Sequence, residues 1–122
     1  MTDTSRDLTV VITHGIDHEL SSVALTIARG AMNAGMRVSL FLTSAGVDLV
    51  RRRGVELTHV PPLDPLKDLI ADIIKRGGTV WSCPPCTKSR GYEQADLIDG
   101  VVIAGAAGMH KLIAAGGATL CF

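Results

Sequence analysis

The sequence predicts an α/β protein, a three-layer α/β/α open sheet of about five mainly parallel strands in the flavodoxin-like order 2-1-3-4-5. Three observations predict it. Short aliphatic runs alternate with helical patterns along the whole chain, as right-handed strand-helix-strand crossovers require. Apolar residues make up 47% of the 122, yet there are only one Trp, one Tyr and two Phe. The core must therefore be built from Val, Ile, Leu and Ala, as in a parallel sheet covered on both faces. Finally, glycines at 35, 54, 77–78 and 91 punctuate the pattern where helices should stop.

Each element has its own justification. Leu8 to Thr13 is a β-branched apolar run that suits a buried strand and ends at His14-Gly15. Asp17 can cap a helix whose apolar residues Leu20, Val23, Ala24, Ile27, Ala28, Ala31 and Ala34 recur at three- and four-residue steps, with Gly35 as its stop. Arg37 to Leu42 is the second strand. Thr43-Ser44-Ala45-Gly46 then turns into a shorter helix ending near Arg53-Gly54, and Val55 to Pro62 reads as an extended connection.

Asp64-Pro65 opens the next helix as cap and first residue, and Leu66, Leu69, Ile70, Ile73 and Ile74 form its buried stripe. Thr79 to Ser82 is the third strand. A polar bridge from Tyr92 to Gly100 has room for a further helical turn. Val101 to Ala104 is the fourth strand, Ala106 to Ala115 the last helix and Ala118 to Phe122 the fifth strand. The chain, residues 1–122, reads as a single domain without repeat or linker.

Composition excludes several function classes. Twelve basic residues balance twelve acidic ones, so no nucleic-acid surface is expected, and the Arg51-Arg52-Arg53 run reads as a solvated helix end. The polar segment Met1 to Asp7 is unlike a signal peptide, and no run is long enough to cross a bilayer. A cytoplasmic protein with no membrane partner is the expectation. Three cysteines in a reducing compartment suit chemistry better than a disulfide framework.

The chemistry concentrates in Trp81-Ser82-Cys83-Pro84-Pro85-Cys86-Thr87-Lys88-Ser89-Arg90-Gly91. A strand runs straight into a short helix there, with Pro84 at the first helical position and Gly91 as a left-handed stop. Cys83 becomes the N-cap, its thiol facing unpaired N–H groups and the positive end of the helix, with Lys88 and Arg90 nearby. Such a thiolate is favoured as a nucleophile or sulfur acceptor. In the expected strand order His14, at the tip of the first strand, meets Cys83, at the tip of the third, in the switch-point crevice.

Competing readings remain open. A thioredoxin-like fold conflicts with the three strand-helix units that precede the Cys-x-x-Cys and with the lack of a later proline loop, although disulfide chemistry on another fold does not. Zinc needs four ligands, and no second pair at ligand spacing accompanies the first. Cys83 and Cys86 can also be inert small hydrophobes, and Cys121 reads as core. His14 is either a proton donor or acceptor beside the thiol or a strand-end histidine bonded to backbone. A His14–His18 metal pair is disfavoured by Gly15 and Asp17 between them. His59 and His110 read as surface residues, and Met32, Met36 and Met109 as either interface or core.

The cysteine loop ending in Arg90-Gly91, followed by Val101-Val102-Ile103-Ala104-Gly105 leading into a helix and a final strand, resembles the DsrE/DsrF-like family of sulfur-relay proteins. The strand ending at Thr43-Ser44 fits as well, so the resemblance covers essentially the whole chain. It implies a compact three-layer fold assembled as homo-oligomers, trimers or hexamers, with sulfur donor and acceptor proteins as partners and no metal or organic cofactor. It also implies that the cysteine matching Cys83 carries a persulfide. This chain adds Cys86, which can attack that persulfide, release sulfide and leave a disulfide. The reading is a sulfur carrier or sulfurtransferase with Cys83 and Cys86 as catalytic thiols and His14, Ser44 and Arg90 lining the site. The alternatives are a thiol-disulfide redox protein using the same pair, and an oligomeric small-ligand-binding module without catalysis.

Overall fold

The computed structural model describes residues 6–122, so the polar segment expected from Met1 lies outside the described residues as far as Ser5. Five strands form one sheet: β1 (Asp7–Ile12), β2 (Arg37–Leu42), β3 (Thr79–Ser82), β4 (Val101–Ile103) and β5 (Ala118–Cys121). Every pairing is parallel. The helices are α1 (Glu19–Asn33), α2 (Leu66–Lys75), α3 (Pro84–Ser89) and α4 (Ala107–Ala114). Two short 3-10 helices, Ser44–Val50 and Gln94–Asp96, complete the set. Class, strand number and parallel pairing are those the sequence predicts, and the arrangement resembles the flavodoxin-like one as an open sheet that reverses direction once.

The order itself is β4-β3-β2-β1-β5, a correction to 2-1-3-4-5. β2 lies between β1 and β3, in register with both, Leu42 opposite Ile12 on one side and Ser82 on the other. Three successive crossovers step the same way, and only the last, through α4, returns to the far side of β1. With right-handed connections that reversal puts α4 on the opposite face from α1 and α2.

The core sits on the α1/α2 face. Leu8, Val10, Ile12, Val38, Leu40, Leu42, Val80 and Val101 pack there against Ala24, Leu25, Ala28, Leu66, Leu69 and Ile73. Burying each large aliphatic side chain contributes about 1.5–3 kcal/mol. The α4 face is thinner, because no α4 residue is buried. Gly108 nevertheless lies so close to Trp81 that a Cβ there would be 2.7 Å from the indole Cζ2.

Several local expectations are corrected. His18, not Asp17, caps α1, its Nδ1 accepting the Leu20 N–H at 3.1 Å. The buried face of α1 is Ser21, Ser22, Ala24, Leu25 and Ala28, while Ile27 is exposed. Small serines let the helix approach the sheet, and Ser21 Oγ donates to the carbonyls of His14 and Gly15 at 2.9 and 2.7 Å. Pro65 caps α2, and Asp64 instead pairs with Arg29 at 2.7 Å. The helix expected to run to Arg53 is the 3-10 turn ending at Val50. Turns rather than extended chain follow it to Leu57. Cys121 is exposed on the edge strand β5, not in the core.

Candidate functional site

β3 delivers its chain directly into α3 at the carboxyl end of the sheet. Cys83 is the N-cap of α3, with Pro84 in the first turn, and Gly91 stops the helix at φ +74°. A buried hydroxyl pair holds this junction rigid. Thr87 Oγ1 donates to the Cys83 carbonyl at 2.6 Å and lies 2.6 Å from Ser82 Oγ, and both residues are fully buried. Two buried polar groups satisfy each other here, which makes the loop geometry costly to disturb.

The Cys83 side chain makes no capping hydrogen bond to its own helix, contrary to the expectation. The favoured thiolate is one turn later. Cys86 Sγ accepts the Ser44 N–H at 3.1 Å and lies 3.5 Å from Thr43 Oγ1. The Thr43 hydroxyl is the main cause of a lowered Cys86 pKa, followed by the Ser44 N–H. Partial burial works the other way, and the Cys83 thiol and the Arg90 charge add smaller lowering contributions. The donor to sulfur is thus supplied by the neighbouring strand-to-helix turn, where Ser44 adopts φ +53°. A left-handed serine is strained backbone of the kind found at working sites.

Arg90 closes one side. Its Nη1 donates to the Cys86 carbonyl at 3.3 Å and its Nε lies 3.5 Å from Asp48 Oδ1. The same Asp48 oxygen accepts the Tyr92 hydroxyl at 2.6 Å, and that bond raises the phenol pKa. The Arg51 guanidinium stands over the Tyr92 ring at 5.7 Å. Thr43, Asp48 and Tyr92 were not singled out in the sequence. For Thr43 the available signal is its place at the carboxyl end of a parallel strand; Asp48 and Tyr92 carried none.

The structure brings Cys83, Cys86, Ser44 and Arg90 together. It does not bring His14 to Cys83, because β2 intervenes and two strand spacings are about 10 Å. His14 instead stacks on His18, ring centroids 4.0 Å apart, although the residues between them are not helical. Its neighbourhood still adjoins the site, since a Cβ on Gly15 would lie 3.2 Å from the Ala45 carbonyl. Among the described residues no cluster of three or more His, Cys, Asp or Glu could hold a metal ion. Two hollows, of about 640 and 560 Å³, lie elsewhere and neither cysteine lines them. Both thiols are half-buried, which leaves part of each residue open to a sulfur atom presented by another molecule.

The model of the DsrE/DsrF-like family matches residues 6–122. The chain belongs to that family. DsrE/DsrF-like proteins are generally linked to sulfur relay with partner proteins. The chain is 35% identical over 107 residues to the uncharacterized protein MK0008 of Methanopyrus kandleri, covering 87% of this chain and 83% of that one. It is 36% identical over 107 residues to the uncharacterized protein MJ0989 of Methanocaldococcus jannaschii, covering 87% and 88%. Among solved DsrE-fold structures it superposes on the YchN protein of E. coli with a TM-score of 0.77, at 20% identity over 98% of this chain and 100% of that one. For MTH1491 of Methanobacterium thermoautotrophicum, of unknown function, the TM-score is 0.73 at 17% identity, over 97% and 99%. These last two likenesses concern the fold.

Proposed function

We propose that this DsrE/DsrF-like protein carries and transfers sulfane sulfur as a cysteine persulfide on the Cys83/Cys86 pair. The observation that carries the reading is the Cys86 sulfur, 3.1 Å from the Ser44 N–H and 3.5 Å from the Thr43 hydroxyl. Donors at those distances stabilise a thiolate, the form that attacks sulfane sulfur. In the forward step the Cys86 thiolate attacks the outer sulfur of a donor persulfide. The donor leaves as a thiol after taking up a proton, and a Cys86 persulfide remains. Cys83 is then the second thiol, a change from the order in which the family resemblance assigns the two.

Transfer to an acceptor thiolate repeats the step in reverse. With no acceptor present, the Cys83 thiolate attacks the Cys86 inner sulfur, expels hydrosulfide and leaves a Cys83–Cys86 disulfide, which an external dithiol must reduce. Arg90 attracts the anionic sulfur group and Ser44 lines the approach, while His14 stands apart across β2. Thiols that are only half-buried are open to exchange with the thiols of another protein. A cytoplasmic setting fits three unpaired cysteines. No helix among the described residues is long and apolar enough to cross a membrane.

The thinly covered α4 face supports a homo-oligomer, a trimer or hexamer. Val102 on β4 and Ile113 on α4 are 55% and 42% exposed there. Intact mass spectrometry of reduced protein after polysulfide tests the sulfur reading. The expected gain is one sulfur atom, lost in Cys86→Ser and kept in Cys83→Ser. Loss only in Cys83→Ser would make residue 83 the carrier, and no gain in the wild type would refute sulfur transfer.

A thiol-disulfide redox reading is favoured by one observation, the placing of Cys83 at the N-cap of α3 and of Cys86 in its first turn. It predicts a two-proton mass loss on mild oxidation, absent in Cys86→Ser, with no sulfur gain from polysulfide.

A further inference from the structure

A groove of about 640 Å³ runs between the outer face of α2 and the segments 51–56 and 98–99. Val55, Ile70, Ala71, Ile74 and Ile98 form its floor, and Arg51, Arg52, Arg53, Lys67 and Lys75 stand on its rim beside Glu56 and Asp99. Asp99 is taken up by Arg52 at 2.9 Å. Arg51, Arg53, Lys67 and Lys75 form no ion pair among the described residues. A chain with no net charge has therefore gathered unpaired cations around an apolar strip.

We infer that this groove docks an amphipathic helix of a partner protein, apolar on one face and flanked by Asp or Glu. Three features select that occupant. The apolar strip runs along α2 between Lys67 and Lys75, eight residues or about 12 Å of helix. Carboxylates two turns apart on a packed helix meet both ammonium groups at that spacing, while one small anion cannot span it. The floor is aliphatic, which an inorganic anion would not use. Leu57, next in sequence to the groove residue Glu56, is an apolar side chain left 97% exposed among the described residues.

A run of side-chain contacts links the groove to the cysteine site. Arg51, on its rim, stands over Tyr92, whose hydroxyl bonds Asp48, which pairs with Arg90. A helix seated there would hold its own protein beside the two thiols. The docking stands independently of whether those thiols carry sulfur.

Fluorescence anisotropy with a labelled synthetic helix of about 16 residues tests it. The probe carries Leu at three- and four-residue steps and Glu on both flanks. One control replaces Glu by Lys and another replaces Leu by Asn. Saturable binding of the acidic probe alone, weakened by raising salt from about 0.05 to about 0.5 M, is the supporting result. Lys67→Glu/Lys75→Glu should weaken it at least about tenfold, a loss of about 1.4 kcal/mol. Ala71→Glu, which places a carboxylate on the floor, should do the same. All three positions are exposed, so thermal melts should match the wild type. Equal binding of the three probes, no binding, or binding unchanged in both variants would overturn the inference. So would wild-type self-association that these variants abolish in sedimentation, since a second copy would then be the occupant.

Discussion

A thiolate forms where hydrogen-bond donors converge, and here they converge on residue 86 rather than residue 83. Iodoacetamide labelling as a function of pH should therefore give Cys86 a midpoint below that of an ordinary thiol. Thr43→Val should move that midpoint up and leave the fold intact, since the hydroxyl is the largest cause of the lowering. An unchanged midpoint would remove Thr43 from the site. The linkage sign follows. A depressed folded pKa contributes stability that is present above the unfolded thiol pKa and lost as pH falls through the folded value. That contribution is small, because the sulfur is near the surface.

Tyr92 has the opposite sign. Its raised pKa means that stability is fully present below the unfolded phenol value and lost as pH rises through the folded one. Tyr92→Phe, which breaks the 2.6 Å bond to Asp48, should cost about 1–2 kcal/mol in urea denaturation. It should also flatten the alkaline limb of the stability curve. Neither partner was legible beforehand, because an aspartate and a tyrosine 44 positions apart carry no shared signal until the chain folds.

At the scale of elements, two turns carry the site and they respond differently to substitution. Ser44 is left-handed, so Ser44→Gly should stabilise by about 1 kcal/mol while keeping the N–H that bonds Cys86. Unchanged or lower stability in thermal denaturation would show that the serine is unstrained. Gly46 has no such freedom. A Cβ there would collide with the Ile12 carbonyl, so Gly46→Ala should cost about 3 kcal/mol or more. Gly108→Ala would press on the Trp81 ring and should cost about 1–3 kcal/mol.

Periodicity and stop signals gave β2 and β3 at their observed bounds and α1, α2 and α4 within a few residues. They failed from Gly46 to Pro62, where backbone contacts with β1 and with residue 97 shape a 3-10 turn that no local pattern encodes.

At the scale of the molecule, the sheet has one thick face and one thin one. If the thin face is an interface between copies, sedimentation equilibrium should show an oligomer, and Val102→Glu should dissociate it without unfolding it. A wild-type monomer at micromolar concentration would defeat that assembly. Val102 is the discriminating position because it lies more than half exposed on β4, the outermost strand of the sheet.

Local sequence by itself determined the α/β class, five parallel strands, the helix start at Cys83-Pro84 and the stop at Gly91. These follow from side-chain period and from the fixed backbone preferences of proline and glycine, which act over a few residues. Only the tertiary structure decided that β2 separates β1 from β3. That one choice removed His14 from the cysteines and put Thr43 and Ser44 beside Cys86. Strand order is set by how whole layers pack, a sum over contacts far apart in sequence, and so no single stretch of the chain could announce it.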